Sequence, residues 1–375
     1  MRYLTGRAGA RPLGPGALLS LLALLLPLAA PASSATLSLA DAKSYMLGLL
    51  NRDRATQGLG PLQFDAQASV PAQAHAEEMV AYGYGAHWDI AGKKPVQRIN
   101  EAGIPDYVVE NVYVEWSGST QPPVEPPLAA PTFTTEELDK MEGAFFNETA
   151  PNDGHRRNIL NLQRTHVGIG LSRSVHTISC DQELISRYGS ITKLPLVAGG
   201  GATVHLSGEV PTGYHLYAVG VGWEPAPHPM TREELLQTAS YSTPTPYVSY
   251  YPPPYQSAIP ITVSGQSFSL DVPLSNPAAP DGGLGNYYVY VWVQSVGEAF
   301  IASAQVVEVE NLPAASGDAN GDGAVDVRDV ILLLKSVAGL ATLTPQQAAA
   351  GDVSGDGVVT IKDVVILLRR VAGLP

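Results

Sequence analysis

Cysteine is almost absent from the sequence: Cys180 is the only one among 375 residues. An intramolecular disulfide is therefore excluded, and a chain of this length has to be stabilised by core packing and bound ions. Because no residue beside Cys180 marks it as a nucleophile, we predict a buried, inert thiol at this position.

Basic residues are also scarce, with 22 Lys and Arg against 35 Asp and Glu and a net charge of −13 at pH 7. A chain of this charge repels phosphate backbones and anionic lipid surfaces, which argues against nucleic acid as a partner. The composition, 45% hydrophobic and 15% charged, excludes a disordered protein. The length predicts about two or three packed domains.

Long apolar runs are confined to the start of the chain. The run ALLSLLALLLPLAA at 17–30 follows three arginines and precedes the small residues of 31–35. This layout is typical of a secretory signal peptide, which we expect over residues 1–35. A membrane anchor is the alternative, but the run is shorter than the ~20 residues that a spanning helix needs. We therefore expect a secreted, extracellular or cell-surface protein whose mature chain does not insert into a membrane, and the lack of disulfides favours a bacterial one.

The C-terminal part of the chain contains an internal sequence repeat, whose two copies are DANGDGAVDVRDVILLLKSVAGL and DVSGDGVVTIKDVVILLRRVAGL. Each copy begins with oxygen-bearing residues at the spacing of an EF-hand loop and continues into one apolar-periodic helix. This spacing predicts two calcium ions, with the carbonyls of Ala324 and Val358 as ligands and Thr360 acting through a water. The predicted calcium ligands are Asp318, Asn320, Asp322, Ala324, Asp326, Asp329, Asp352, Ser354, Asp356, Val358, Thr360 and Asp363.

The two loop–helix units resemble a type I dockerin over residues 316–375. The resemblance implies a small all-α domain that binds calcium and docks, in a calcium-dependent way, to a cohesin domain of a scaffold or surface protein. The positions that commonly face the cohesin in that family are here Val327, Arg328, Lys335, Ile361, Lys362 and Arg369. Two structural calcium loops without a partner are the alternative.

The apolar residues of both C-terminal helices recur at helical spacing, and we predict that they lie mostly in the core. They are Val330, Leu333, Leu334 and Val337 in the first copy and Val364, Leu367, Leu368 and Val371 in the second.

Residues 36–190 alternate predicted helices with short strands, which is typical of a layered α and β domain. The segments LLNRDRATQGLGPLQFD, AHWD, VVENV, AFFNE and GHRRNILN, in this order, resemble the CAP superfamily, also called SCP or PR-1-like. The resemblance implies an α/β/α sandwich with a cleft that contains two histidines and two acids. By motif these are His87, Glu110, Glu148 and His155.

The chemistry of two imidazoles facing two carboxylates leaves three possibilities open. His87 and His155 could bind zinc. Alternatively, an acid could orient a water molecule while a histidine moves a proton. The third possibility is structural, with the histidines hydrogen-bonded to Glu110 and Glu148 so that they tie the cleft walls together. His75, His166 and His176 belong to no motif, and no role is assigned to them.

Residues 194–312 show the period-two alternation of strands separated by Gly, Pro and Asn turns. We predict a β-sandwich, immunoglobulin-like or fibronectin-like, that serves as a spacer. The tyrosine and proline run at 243–255 is either an aromatic binding surface or an ordered loop packed on the sandwich.

Both resemblances together predict a secreted CAP protein that a calcium-dependent dockerin attaches to a cohesin-bearing complex or surface, with a cleft that binds a ligand or a metal. The alternative is an extracellular hydrolase that uses the histidine and glutamate cleft within a polysaccharide-degrading, cellulosome-like assembly. A third possibility is a structural component of an extracellular lattice. A conventional enzyme is the less favoured interpretation, since no glycosidase domain is recognisable.

Overall fold

The structure is a computed structural model that describes residues 35–238, 240–280, 283–310, 317–322 and 324–373. Residues 1–34 of the predicted signal peptide lie outside this part of the chain. Within the described ranges, no helix combines the length and the apolar character needed to cross a membrane.

The N-terminal domain is built around one four-stranded sheet. The strands of the domain are β1 Thr36–Ser38, β2 Gln63–Phe64, β3 Tyr107–Trp116, β4 Thr132–Thr134, β5 His166–Arg173 and β6 Thr177–Ser186. Its helices are α1 Leu39–Ala55, α2 Ser69–Tyr82, α3 Pro95–Glu101, α4 Thr135–Phe146 and α5 Gly154–Ile159. The sheet has the order β2–β5–β6–β3, and β1 and β4 form a separate pair.

Helices cover both faces of this sheet. One face carries Ile169, Leu171 and Cys180, which share a buried core with residues of α1 and α4 such as Met46 and Phe145. Cys180 is fully buried, and burial raises the pKa of its thiol. The other face packs against α2, so the predicted α/β/α layering agrees with the arrangement of these elements.

The contact between α2 and β5 is unusually close because β5 carries glycine where the helix lies on it. A Cβ added at Gly168 would lie 2.5 Å from the carbonyl carbon of Ala68, and one at Gly170 would lie 2.1 Å from the carbonyl oxygen of Ala72. Real Cβ atoms do not approach backbone atoms this closely, so both positions require glycine.

The middle domain consists of two sheets around one core. Its elements are β7 Ser190–Ile191, β8 Val197–Gly199, β9 Thr203–Glu209, β10 His215–Glu224, α6 Arg232–Leu235, β11 Val248–Tyr250, β12 Thr262–Ser264, β13 Ser267–Pro273, β14 Gly285–Gln294 and β15 Phe300–Glu310. The sheet orders are β11–β10–β14–β15–β8 and β12–β13–β9–β7. Apolar residues of both sheets, including Leu206, Val219, Val272 and Val289, belong to the same buried cluster.

The likeness of the middle domain to an immunoglobulin or fibronectin fold stays a prediction. Strand β7 pairs with β9 of the middle domain, although the expected boundary assigns Ser190 to the preceding domain. In the run at 243–255, Tyr250 is buried in the sandwich core on edge strand β11, whereas Tyr255 is largely exposed. Part of this run is thus ordered against the sheet.

The middle domain packs directly on the N-terminal domain, and its role as a spacer stays a prediction. Tyr288, Tyr290 and Val306 of β14 and β15 form one buried cluster with Val96 and Ile99 of α3. The connection between β10 and β11 also crosses to the N-terminal domain, where the fully buried Leu235 of α6 joins a cluster around Met79 and Tyr84.

The C-terminal repeat forms a small all-helical unit, with α7 Val327–Val337, α8 Pro345–Gly351 and α9 Ile361–Val371. Helices α7 and α9 pack together through a cluster that includes Val330, Leu333, Val364 and Leu367, as the periodicity predicts.

The prediction of a mostly buried stripe is wrong for three other positions, Leu334, Val337 and Leu368, which are exposed. Each C-terminal helix is apolar on two sides, and only one side meets the other helix. Helical periodicity identifies apolar positions but does not reveal which of two apolar sides is covered.

Candidate functional site

Two of the four motif residues of the N-terminal domain form a buried pair. His87 lies in the loop after α2, and Glu110 lies on edge strand β3. The His87 Nδ1 atom lies 2.7 Å from Glu110 Oε2. Only 1% of Glu110 is exposed.

Arg98 of α3 holds the second oxygen of Glu110. Its Nη2 donates to Glu110 Oε1, and its Nη1 donates to the carbonyl oxygen of His87 at 3.0 Å. Burial by itself raises the pKa of Glu110, but the guanidinium and the hydrogen bond from His87 outweigh it and lower the pKa to about 2. The low pKa favours a charged Glu110 carboxylate that supports the His87 ring.

The other two motif residues form a similar pair that is more open to solvent. Glu148 follows α4, and His155 lies in the first turn of α5. Glu148 Oε1 lies 2.6 Å from His155 Nδ1, and Glu148 Oε2 accepts a hydrogen bond of 2.9 Å from the His155 backbone N–H. The glutamate therefore fixes both the ring and the start of the short helix.

The structure brings the two pairs together. The ring centroids of His87 and His155 lie 6.3 Å apart. The pairs are linked through Asn111, whose Nδ2 donates to the carbonyl oxygen of His155 at 3.4 Å, and Asn158, whose Nδ2 donates to Asn111 Oδ1 at 3.0 Å. Since each ring uses Nδ1 for its carboxylate, Nε2 is the nitrogen left for a ligand.

The donor set for zinc at this cleft consists of two imidazoles. Catalytic zinc sites use three protein ligands, and structural ones use four. Among the described residues, the groups of three or more clustered metal-binding side chains include neither His87 nor His155. Any metal here would therefore need ligands from water or from a bound molecule.

Three residues around the cleft have no motif in the sequence. His75 of α2 lies with Nε2 4.0 Å from Glu110 Oε1, and Arg98 has the role given above. Tyr241, from the β10–β11 connection, lies with its ring centroid 4.9 Å from that of His87. The helix position of His75, one turn from Met79 on the buried side of α2, is a signal that periodicity could have used. Tyr241 reaches the cleft through a domain contact that no local pattern reveals.

In each predicted calcium loop, the last aspartate accepts hydrogen bonds from two backbone N–H groups of the same loop. Asp329 accepts hydrogen bonds from the backbone N–H groups of Asn320 at 3.0 Å and Asp326 at 2.8 Å. Asp363 accepts from those of Ser354 and Thr360, both at 2.9 Å.

The donor set of the second loop fits calcium. In the second loop, Asp352, Asp356 and Asp363 each bring an oxygen within 4.8 Å of the others. Carboxylate and other oxygen donors converging in this way suit a hard cation such as calcium. Asp326 and Thr360 also cap helices α7 and α9 through their side chains, so their predicted part in the calcium sites stays a prediction.

The six residues predicted to contact a partner are all exposed, as are further apolar residues beside them. The apolar ones follow the i, i+4, i+7 spacing of one helix face, the same in both copies. They are Val327, Ile331 and Leu334 on α7 and Ile361, Val365 and Leu368 on α9, together called the outer stripes below.

Basic residues adjoin both outer stripes. Arg328 Nη1 lies 2.7 Å from Asp322 Oδ2, and Lys362 Nζ lies 3.0 Å from Asp356 Oδ2. The two units thus present matching surfaces of apolar and basic groups next to their loops. Contact of these residues with a cohesin stays a prediction.

Comparison with known proteins identifies two segments. Residues 47–182 match the family model "CAP: Cysteine-rich secretory protein family", and residues 316–372 match the model of the dockerin type I domain. One curated relative, the uncharacterized protein YkwD of Bacillus subtilis, is 30% identical over 142 residues, which are 38% of this chain and 47% of that protein. The chain therefore spans about half the length of this relative.

Solved structures with similarity include an extracellular protein containing an SCP domain from Bacillus anthracis, with 20% identity, a TM-score of 0.29, and coverage of 38% of this chain and 40% of that one. Another is an outer surface protein of Borrelia burgdorferi, with 13% identity, a TM-score of 0.31, and coverage of 41% of this chain and 99% of that one.

Proposed function

Because the chain contains a CAP-family domain at residues 47–182 and a type I dockerin domain at residues 316–372, we propose that it is a secreted protein that displays a ligand-binding CAP cleft on a cohesin-bearing complex or surface. The dockerin supplies attachment and depends on two calcium ions. The CAP domain supplies the activity of the displayed protein, which we propose to be binding.

The observation that carries the docking proposal is the pair of outer stripes. A small domain that exposes apolar residues at the same helical positions of both copies presents two equivalent apolar surfaces for a protein partner. The basic residues Arg328 and Lys362 occupy equivalent places beside the two stripes, and Lys335 and Arg369 lie further along the helices. A cohesin surface that is apolar at its centre and acidic at its rim would complement either copy.

Binding of the full chain to a type I cohesin domain tests this proposal. We expect binding in calcium and release by a chelator, because the loops order the helices only when the ion is bound. Leu334→Asp together with Leu368→Asp should abolish binding, whereas either substitution alone should leave much of it, since the other copy can dock. Val296→Asp, on a fully exposed turn of the middle domain, is the matched control. Binding that persists in chelator contradicts the proposal.

The accessible pair, Glu148 with His155, is the part of the cleft that supports ligand binding. Glu110 is buried, and its pKa is held at about 2 by Arg98 and His87, so it cannot deliver a proton near neutral pH. Glu110 therefore suits the role of a charged support for His87 and not that of the protonated acid of a glycosidase.

Zinc is one ligand that this cleft could hold, and the chain offers a control for it. We expect His155→Ala to weaken binding of added Zn²⁺ to the calcium-loaded full chain. His176→Ala should not do so, although His176 Nδ1 also lies 2.6 Å from a carboxylate, because that carboxylate belongs to Glu125 and not to a residue of the cleft. Equal effects of the two substitutions would contradict a zinc site at the cleft.

The alternative function is hydrolysis, and one observation favours it. Each ring is oriented by a carboxylate at Nδ1, the arrangement in which Nε2 can take a proton from a water molecule. Incubation of the full chain with a panel of peptides and glycans, beside His155→Ala, tests this alternative. Turnover that the variant lacks would establish an enzyme, and no turnover with or without zinc would leave binding as the function.

A further inference from the structure

A second group of ionisable side chains lies beneath the cleft, between α2 and the sheet. It contains His75 of α2, Glu110 of β3 and Asp181 of β6, each of which offers a ligand atom within 4.8 Å of the other two. All three residues are buried. Asp181 and Glu183 pair with Gly170 and Gly168 across the β5–β6 ladder, so both carboxyl groups lie on the α2 side of the sheet.

The charges of this cluster do not balance within the protein. Glu110, Asp181 and Glu183 are three buried carboxyl groups, and the guanidinium of Arg98 is the cation that faces them, 3.8 Å from Glu183 and hydrogen-bonded to Glu110. A buried charge without a partner is strongly destabilising.

Several atoms of the cluster also have no hydrogen-bond partner among the described residues. They are both carboxyl oxygens of Asp181, both of Glu183, and Nδ1 of His75. The Nε2 atom of His75 lies 2.9 Å from the carbonyl oxygen of Ala86, to which it donates, and this leaves the lone pair of the neutral ring on Nδ1. A neutral imidazole and a group of carboxylates with free lone pairs are the donors that bind a divalent metal.

We propose that His75, Glu110 and Asp181 bind one divalent transition-metal ion, such as Zn²⁺ or Mn²⁺, in the interior of the CAP domain. The two charges of the ion, together with Arg98, balance the three carboxylates. The mixed nitrogen and oxygen donors favour these ions over calcium. This site is separate from the His87 and His155 rings and would hold the Glu110 carboxylate in place under His87.

Metal analysis of the full chain tests the proposal. The protein is incubated with Zn²⁺ or Mn²⁺ in calcium-containing buffer, passed through gel filtration, and its metal content is measured by mass spectrometry. Asp181→Asn removes one ligand charge with little change in shape. Glu142→Gln is the matched control, because Glu142 is a buried acid on the opposite face of the sheet. His155→Ala separates the buried ion from any ion in the cleft.

We expect the wild type and the Glu142→Gln and His155→Ala variants to retain one equivalent of metal that Asp181→Asn lacks. We also expect added metal to raise the melting temperature of every protein except Asp181→Asn. Equal metal content in the wild type and Asp181→Asn would overturn the proposal. A wild type without metal, with Asp181→Asn melting higher, would overturn it too and identify Asp181 as a protonated carboxyl group instead. If Asp181→Asn does not fold, anomalous diffraction from the metal-soaked wild type decides by the presence or absence of a peak among the three residues.

Discussion

Tyr241 shows how a single residue can extend the cleft across a domain boundary. Its ring lies against His87 and, at 6.3 Å between centroids, near Trp88. The backbone around it is held on the CAP domain by Lys94, whose Nζ donates to the carbonyl oxygen of Ser242 at 2.8 Å. Tyr241 therefore covers the His87 side of the cleft, while the His155 side is more open.

Replacing Tyr241 by alanine should uncover His87. We expect diethylpyrocarbonate to modify His87 several-fold faster in Tyr241→Ala, relative to His155 in the same molecule, because the covering ring is gone. Tyr241→Phe keeps the ring and should match the wild type. Peptide mass spectrometry after short exposure measures both histidines. An unchanged ratio in Tyr241→Ala would show that Tyr241 does not restrict access.

Glu142 of α4 gives the stability of the CAP domain a pH dependence. Burial raises its pKa to about 8, even though Gln182 Nε2 donates to its Oε2 at 2.7 Å. Because the folded-state pKa lies above the ordinary value of 4.5, unfolding releases a proton between about pH 4.5 and 8, and the folded state loses stability as the pH rises through this window.

Glu142→Gln should remove this loss. We expect a gain of about 4 kcal/mol over the wild type at pH 8 and little difference near pH 4.5, where the wild-type carboxyl is protonated in the folded state and about half protonated in the unfolded one. The glutamine keeps an oxygen that can accept from Gln182. Thermal unfolding between these pH values checks the expectation. A gain of the same size at every pH would mean that the carboxyl does not titrate in this window.

The sequence allowed us to predict the site residues that belong to a family motif. It did not allow us to predict the site residues that belong to no motif. The resemblance of four short segments to the CAP superfamily implies a cleft with His87, Glu110, Glu148 and His155, and only the structure shows which histidine pairs with which glutamate. Arg98 has no signal of its own, since an arginine in a helix is usually exposed. Its burial depends on the charge of Glu110, which only the folded chain brings to it.

At the scale of elements, each of the two C-terminal helices α7 and α9 has one buried and one exposed apolar side. Leu333 and Leu334 are neighbours on α7, yet Leu333 is fully buried against α9 and Leu334 is 47% exposed on its outer stripe. The same division holds for Leu367 and Leu368 on α9. Composition and periodicity treat each pair as equivalent, so the difference becomes visible only when the helices pack.

Alanine at these two positions should therefore have different effects. Leu333→Ala should destabilise the dockerin by about 2–5 kcal/mol, because it leaves a cavity between the helices. Leu334→Ala should cost much less, because its side chain already contacts water. Calcium titration followed by circular dichroism measures the coupled folding of the repeat in each variant. Similar losses in both would contradict the assignment of an inner and an outer side.

At the scale of the whole molecule, the CAP domain and the middle sheets share a buried, hydrogen-bonded contact. Asn100 of α3 lies at their junction, where its Nδ2 donates to the carbonyl oxygens of Ile104 at 3.0 Å and Ala304 at 3.2 Å, and its Oδ1 accepts from the N–H of Val306 at 2.8 Å. The sequence predicts the two domains from their different periodicities but contains no signal for this contact.

Asn100→Ala should weaken the junction. Leaving the buried N–H of Val306 and carbonyl of Ala304 without partners costs about 1–3 kcal/mol each. We expect the single calorimetric transition of these two domains in the wild type to separate into two in the variant. Asn51→Ala is the control, because Asn51 makes similar hydrogen bonds to Leu62 within the CAP domain alone. It should lower the transition without dividing it.

The two glycines of β5 have a consequence for how His75 is positioned. With no side chain at Gly168 or Gly170, the spacing between α2 and the sheet is set by contact between backbone atoms. Core substitutions change side-chain volumes, but they do not change the radii of peptide carbons and oxygens. The distance from His75 to Glu110 and Asp181 is therefore set by contact between backbone atoms and not by the packing of side chains.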